Sequence, residues 1–177
     1  LADRLSKIKI FDPACGSGNF LIIAFKELKR LEIEIFKELN SFTFSQITPS
    51  QFYGIEIDDF AHEIAKLSLW LTEHQMNIEF FNEFQRVNPT LPLKKAGNIT
   101  CGNATRVDWE SVCPKEQDDE IYVLGNPPYL GSSMQNKSQK DDMKILMSNK
   151  FQNYKNLDYI ACWFVKASSY IKGEDFK

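Results

Sequence analysis

Asn126, Pro127, Pro128 and Tyr129 stand together inside the run EIYVLGNPPYLGSS. Two prolines straight after an apolar run will not continue a helix, and an inner strand cannot hold them. The segment is therefore a stiff turn just past the end of a strand. The Asn126 side-chain oxygen and a Pro127 carbonyl are acceptors for the two N–H groups of a planar amine, such as the exocyclic amine of a base or an amide nitrogen. Such a nitrogen is a poor nucleophile because its lone pair is delocalised. Immobile acceptors favour a localised pair and a pyramidal geometry. Tyr129 offers a face for stacking, worth roughly 1–3 kcal/mol in single-stranded nucleic-acid binders. No strong general base is needed if the electrophile is a sulfonium methyl group displaced in line.

Three upstream segments complement this turn. DPACGSGNF (12–20) follows an apolar run and opens a helical pattern. Gly16 and Gly18 reach backbone angles closed to other residues, and the amides after them face a ligand at a helix start. A dinucleotide fingerprint would place a third glycine at 21, where this chain has Leu21, so a nicotinamide or flavin reading is weakened. Asp12 suits a cationic or hydroxyl-bearing ligand rather than a pyrophosphate. In YGIEID, Glu56 at a second strand end is placed to accept from both hydroxyls of a ribose, with Ile57 against a purine. Asp58 and Asp59 are read as a helix cap. In CGNATR, the Asn103 amide matches an adenine edge in donor and acceptor.

The elements that must position these segments alternate along the chain. Strands are expected at 8–11, 51–57, within NITCGNA and at 121–126; a helix is expected over 19–39, its apolar face Leu21, Phe25, Leu28, Leu31, Ile35 and Leu39, with Lys29 and Glu32 on the polar side. A second helix over 58–77 is expected to bury Phe60, Ile64, Leu67 and Leu71. After it come a short helix, a proline-containing loop near 87–97, and a charged connector over WESVCPKEQDDE. A polar tract follows near 132–151, and an amphipathic helix ends near Gly173. This alternation implies an α/β fold, a parallel sheet with helical crossovers and a ligand crevice at the strand carboxyl ends. Lys137, Lys140, Lys144 and Lys150 are interrupted by acidic residues and read as a solvated face. Trp70 and Trp163 read as packing aromatics.

The 177 residues suffice for one domain with a core. A net charge of −3 carries no basic footprint of a stand-alone nucleic-acid binder. The four cysteines show no CxxC and only two histidines exist, so no metal site is expected and the thiols are read as reduced and intracellular, in the cytoplasm. No signal peptide or membrane span is read. Both ends look cut, and the chain is expected to be a piece of a longer polypeptide.

With these segments placed, the chain resembles the amino-group DNA methyltransferases of the gamma arrangement, which use S-adenosylmethionine. DPACGSGNFLIIAFKELKRLE, FYGIEIDDFAHEIAKLSLWLTEHQMN, GNATRVDW and YVLGNPPYLGSSMQ are similar to the MmeI-like (type IIL) restriction–modification polypeptides. The resemblance implies a class I methyltransferase (Rossmann-like) sheet with helices on both faces, here truncated before its last strands. Residues 1–177 would be a partial catalytic core, with cofactor motifs over 8–105 and the catalytic region over 121–177. Asp12, Ala14, Cys15, Gly16, Gly18 and Phe20 would hold the methionine end of the cofactor. Glu56 would take its ribose, and Ile57, Asn103 and Ala104 its adenine. Asn126, Pro127, Pro128 and Tyr129 would hold a target adenine rotated out of duplex DNA. Asp158 is a weaker carry-over toward the cofactor pocket. Many relatives carry aspartate at the position of Asn103. Nuclease and target-recognition domains would lie elsewhere in the polypeptide, so the piece alone is expected to methylate little.

Two other readings use the same residues. A planar amine is also offered by glutamine side chains of translation factors and by guanine in ribosomal RNA. A non-catalytic nucleotide-binding domain shares such a fold.

Overall fold

The computed structural model describes residues 2–39, 44–86 and 97–173. Its elements are β1 (Ile8–Asp12), β2 (Phe52–Glu56), β3 (Asn98–Cys101) and β4 (Glu120–Val123), with α1 (Ala2–Leu5), α2 (Asn19–Glu38), α3 (Asp59–Phe84), α4 (Trp109–Val112), α5 (Lys137–Met147) and α6 (Ala161–Lys172). All strand pairings are parallel, in the order β3-β2-β1-β4. The chain thus steps from β1 outward to β3, then returns to the other side of β1. That reversal puts the ends of β1 and β4 side by side, with the Leu124 amide on the Phe11 carbonyl at 2.9 Å.

The strand period of two sorts the core. Ile8, Ile10 and Phe52 face α2 and α3, where Phe25 and Phe80 are also buried. Phe11, Tyr53 and Ile55 face the opposite layer, with Trp109 and Tyr170. Each fully buried phenylalanine stabilises the fold by about 1.5–3 kcal/mol. A third cluster of Met143, Leu146, Met147, Tyr154, Tyr159 and Cys162 packs α5 on α6. No described helix is long and apolar enough to cross a membrane.

Several local expectations change. On α2 the buried face includes Lys29 and Glu32, while Leu31 is 43% and Leu39 63% exposed. The reason lies outside the helix: Ser45 bonds both charged groups, and the Gln46 and Ile47 amides donate to Glu32 Oε1. Hydrogen bonding to a connector thus makes burial of the two charges tolerable. On α3 the core stripe is Ala65, Leu69, Thr72, Met76 and Phe80. Phe60, Leu67 and Leu71 are exposed instead. Apolar residues occur all around this helix, so its periodicity could not select a face. The expected break near 77 is absent; α3 runs unbroken to Phe84, and Gln85 closes it in the left-handed region. The proline-containing loop over 87–96 lies outside the described residues. WESV forms the short helix α4, started by Asp108, which accepts from Glu110 and Ser111. The last helix begins only at Ala161, preceded by a turn of 3-10 helix over Tyr154–Asn156. Three cysteines are buried and Cys101 is exposed at the end of β3.

Candidate active site

The first strand ends at Asp12, which is fully buried. Its Oδ1 accepts from the Ala14 amide at 3.0 Å, whereas its Oδ2 is buried without a partner among the described residues. Burial pushes the Asp12 carboxyl up to about 6; the Ala14 amide opposes this and the Glu56 carboxylate adds to it. Gly125, at the end of β4, has φ +149°, and a Cβ there would lie 2.4 Å from Asp12 Oδ1. Only glycine lets β4 end this close to the Asp12 carboxylate.

The turn after Asp12 is wired into β2. The Cys15 amide donates to the Ile55 carbonyl at 3.1 Å, and the Gly16 amide to Glu56 Oε2 at 2.8 Å. Glu56 Oε1 accepts from the Asp58 amide at 2.8 Å, so backbone donors orient both oxygens. The Cys15 thiol points into the core beside Gly54, where a Cβ would meet its sulfur at 2.8 Å. Burial pushes that thiol up to about 12, with Asp12 and Glu56 adding to the effect. Gly18, at φ +87°, precedes α2 and lies against Ala65 of α3. Asp58 caps α3 by accepting from Ala61 at 2.8 Å, as its position after the strand predicts.

A cleft of about 470 Å³ lies over the carboxyl edge of the sheet. All four strand ends reach it: Pro13 and Ala14, then Glu56 and Ile57, then Gly102, Asn103 and Ala104, then Asn126 and Pro128. Ile57 is 67% exposed. A smaller cavity of about 220 Å³ adjoins it, sharing Pro13, Ala14 and Trp163, and is lined by Asp12, Pro127, Tyr129 and Phe164. The NPPY turn therefore straddles two spaces, with Asn126 and Pro128 on the larger and Pro127 and Tyr129 on the smaller. Tyr129 is 71% exposed. The thiol of Cys15, the two turn glycines and Phe20 are not part of either lining.

Two sequence assignments meet competing bonds. The Asn103 Oδ1 accepts from the Thr105 amide and hydroxyl at 2.9 and 2.7 Å, and its Nδ2 donates to Asp142 at 3.2 Å. Asn103 borders the cleft with its amide already engaged. Asp158 does not line the cleft; its Oδ1 accepts from Leu130 and Ile160 and anchors the chain after Tyr129.

Sequence reasoning missed the wall supplied by α5 and α6. Asn136, Ser138, Gln139, Asp142, Tyr159 and Trp163 also line the cleft. Asp142 is 2% exposed and takes Arg106 at 2.7 Å, the Tyr159 hydroxyl at 2.8 Å and Asn103. Burial opposes its ionisation, but those hydrogen bonds outweigh it and hold its carboxyl below the usual range. The tract reads as solvated because acidic and basic residues alternate in it; the bonds of Asp142 to Arg106, 36 residues earlier, and to Asn103 and Tyr159, together with the Met143, Leu146 and Met147 cluster on α6, turn α5 inward. Trp163 donates to the Pro13 carbonyl at 3.0 Å and so ties α6 to the first turn.

Parallel strands with a cleft at the reversal of their order, rimmed by these four turns, define a Rossmann-like α/β domain. Over residues 1–177 the chain matches the family described as MmeI, DNA-methyltransferase domain, and it belongs to that family. The DNA methyltransferase A of Bacillus subtilis (strain 168) is 56% identical over 176 residues, covering 96% of this chain and 20% of that protein. The solved structure of the type IIL restriction–modification enzyme MmeI in complex with DNA superimposes with a TM-score of 0.86 at 38% identity. It covers 97% of this chain and 24% of that one. A nuclease-deletion mutant of the type ISP restriction–modification enzyme LlaGI, solved with a DNA substrate mimic, shares the fold, with a TM-score of 0.51 at 17% identity. The chain thus spans a quarter or less of the length of these proteins.

Proposed function

We propose that this domain, within the polypeptide that carries it, transfers the methyl group of S-adenosylmethionine to the 6-amino group of adenine in duplex DNA, as the modification part of a restriction–modification protein. The observation that carries the reading is the meeting of Asn126 and Pro128 with the Pro13–Ala14, Glu56 and Asn103 strand ends in one cleft, with Asp12 and Pro127 on the cavity that adjoins it.

The residues fit the cofactor. The orphaned Asp12 Oδ2 is an acceptor for an ammonium group, and Ala14, Cys15, Gly16, Gly18 and Phe20 form the turn beside it. Glu56, oriented by two amides, retains lone pairs for ribose hydroxyls. Ile57 and Ala104 offer apolar contact to a purine. Asn103 bounds that space with an amide held by Thr105 and Asp142, so its contribution is shape more than pairing. When bound, the cofactor supplies an electrophilic sulfonium methyl group.

The target amine reaches this cleft only when its nucleotide leaves the base stack. Asn126 and the Pro127 carbonyl accept its two N–H bonds and raise its nucleophilicity, with Pro128 holding the turn rigid. Tyr129 stacks on the extruded base, and the adjoining cavity of about 220 Å³ stands beside that face. The 177-residue chain alone is expected to methylate little, since phosphate contacts dominate DNA affinity and its net charge is −3.

The test is incubation of the full-length polypeptide with labelled S-adenosylmethionine and DNA, RNA and protein substrates. Label on adenine of duplex DNA is expected. Label confined to glutamine or to RNA guanine would overturn the reading, as would calorimetric titrations in which NAD binds and S-adenosylhomocysteine does not.

A further inference from the structure

Three lysines, Lys140, Lys144 and Lys155, border a groove of about 490 Å³ together with Ser132 and Ser133. Asp141 is the one acidic residue in the same wall. Three cations against one carboxylate make the groove positive in a chain whose net charge is −3. This sign is local and unusual for the molecule. From Arg4 to Lys115, eight described cations pair with carboxylates. None of those pairs includes Lys140, Lys144 or Lys155. Lys144 also lies in the last turn of α5, where a cation offsets the helix dipole. That role leaves Lys140 and Lys155 unexplained.

The groove is rigidly connected to the NPPY turn. Leu130, the residue after Tyr129, donates to Asp158 at 2.8 Å and accepts from the Tyr159 amide at 2.9 Å. Gln135, 6% exposed, clamps the Leu130 and Leu157 carbonyls at 3.0 Å each and also lines the groove. Ser132 and Ser133 therefore carry the chain from the turn into the groove along a braced path. A strand whose base is held by the turn brings its flanking backbone near the residues that follow the turn, and each nucleotide carries one phosphate charge. Lysine ammonium groups and serine hydroxyls are donors suited to phosphate oxygens.

We propose that this groove binds the phosphodiester backbone flanking the target nucleotide, which rests on the reading of the neighbouring turn as the holder of a base in DNA. The contact positions the strand without reading its sequence.

The experiment uses the full-length polypeptide and fluorescence anisotropy on a labelled duplex, across roughly 50 to 200 mM salt, the range over which such contacts are resolved. Replacing the set with Lys140→Gln, Lys144→Gln and Lys155→Gln is expected to reduce the slope of log affinity against log salt by about 2 to 3, at ~0.9 per phosphate contact. The fold loss should be equal on cognate and unrelated duplexes, with affinity for S-adenosylhomocysteine retained. The matching triple Lys→Arg variant should keep the slope. An unchanged slope in the glutamine variant overturns the proposal. Loss of S-adenosylhomocysteine binding in both variants overturns it too, because the lysines would then be structural. Failure of the methylation reading is separately visible: wild-type protein would leave adenine unmethylated while the three lysines still governed the salt slope.

Discussion

The two sides of the strand-end region around the cleft and its adjoining cavity are built to opposite rules. Around Asp12, Gly16 and Glu56 nearly every polar group is satisfied by backbone of this same chain, and Asp12 is fully buried. Around Asn126 and Tyr129 the side chains stand exposed, with no side-chain hydrogen bond to either among the described residues. A half whose polar groups are already oriented would lose little entropy on binding a ligand. In the proposed reaction the other half leaves room for a base that comes from elsewhere. One orphan breaks the rule on the closed side, the Asp12 Oδ2, and the proposed function gives it a cationic donor.

The largest expected effect tests the open half. Asn126→Ala in the full-length polypeptide should lower the methylation rate by about 10²–10³-fold, the loss typical of one polar group aimed at a transition state. Calorimetric titration with S-adenosylhomocysteine should be unchanged. Retained activity would remove Asn126 from the reaction and dissolve the contrast.

Asp12 tests the closed half through pH. Its carboxyl stands at about 6 in the fold against an ordinary 3.8. Between those values the native state holds more protons than the unfolded one, so stability falls as pH rises from about 4 through 6 and is level above. The span is about 3 kcal/mol. Thermal melts of wild type against Asp12→Asn should show the dependence in the first and a flatter profile in the second. A cationic group bound at Oδ2 would pull the carboxyl back down, so cofactor binding near pH 6 should release protons to the buffer. Proton uptake instead would place no cation there.

Glu56→Ala comes next, with an expected loss of about 10- to 100-fold in cofactor affinity, since charge-assisted bonds contribute about 1.5–3 kcal/mol. Equilibrium dialysis against labelled S-adenosylmethionine checks it. The smallest effect sharpens the seam between the halves. Gly125→Ala should cost about 1–3 kcal/mol in a denaturant melt, because its Cβ meets Asp12 Oδ1 at 2.4 Å. A neutral result would show that β4 can move away from Asp12 freely.

Much of the rim of the candidate site was legible because its residues are contiguous. Within DPACGSG, GIEID, GNA and NPPY, local backbone rules assign glycine to tight turns and proline to a stiff end, so types and spacing carry the message. Helix faces were less legible. On α3 apolar residues surround the axis, and the choice of Leu69 and Met76 over Leu67 and Leu71 depends on where β2 and α2 stand. Lys29 and Glu32 look solvent-facing in sequence, and only Ser45, Gln46 and Ile47 make their burial tolerable.

The sequence by itself determined the order of the four strands and of the long helices α2, α3 and α6, and the four strand-end turns with the chemistry proposed for each, because those follow from short-range sterics and side-chain type. Tertiary structure alone decided that β4 returns beside β1, that Asp142 ties α5 to Arg106 at the edge of the cleft, and that Asp158 braces the NPPY turn from outside that cleft. Each of these joins residues tens of positions apart. Which long-range partner a charge finds is set by how the whole core packs, and no local pattern records it.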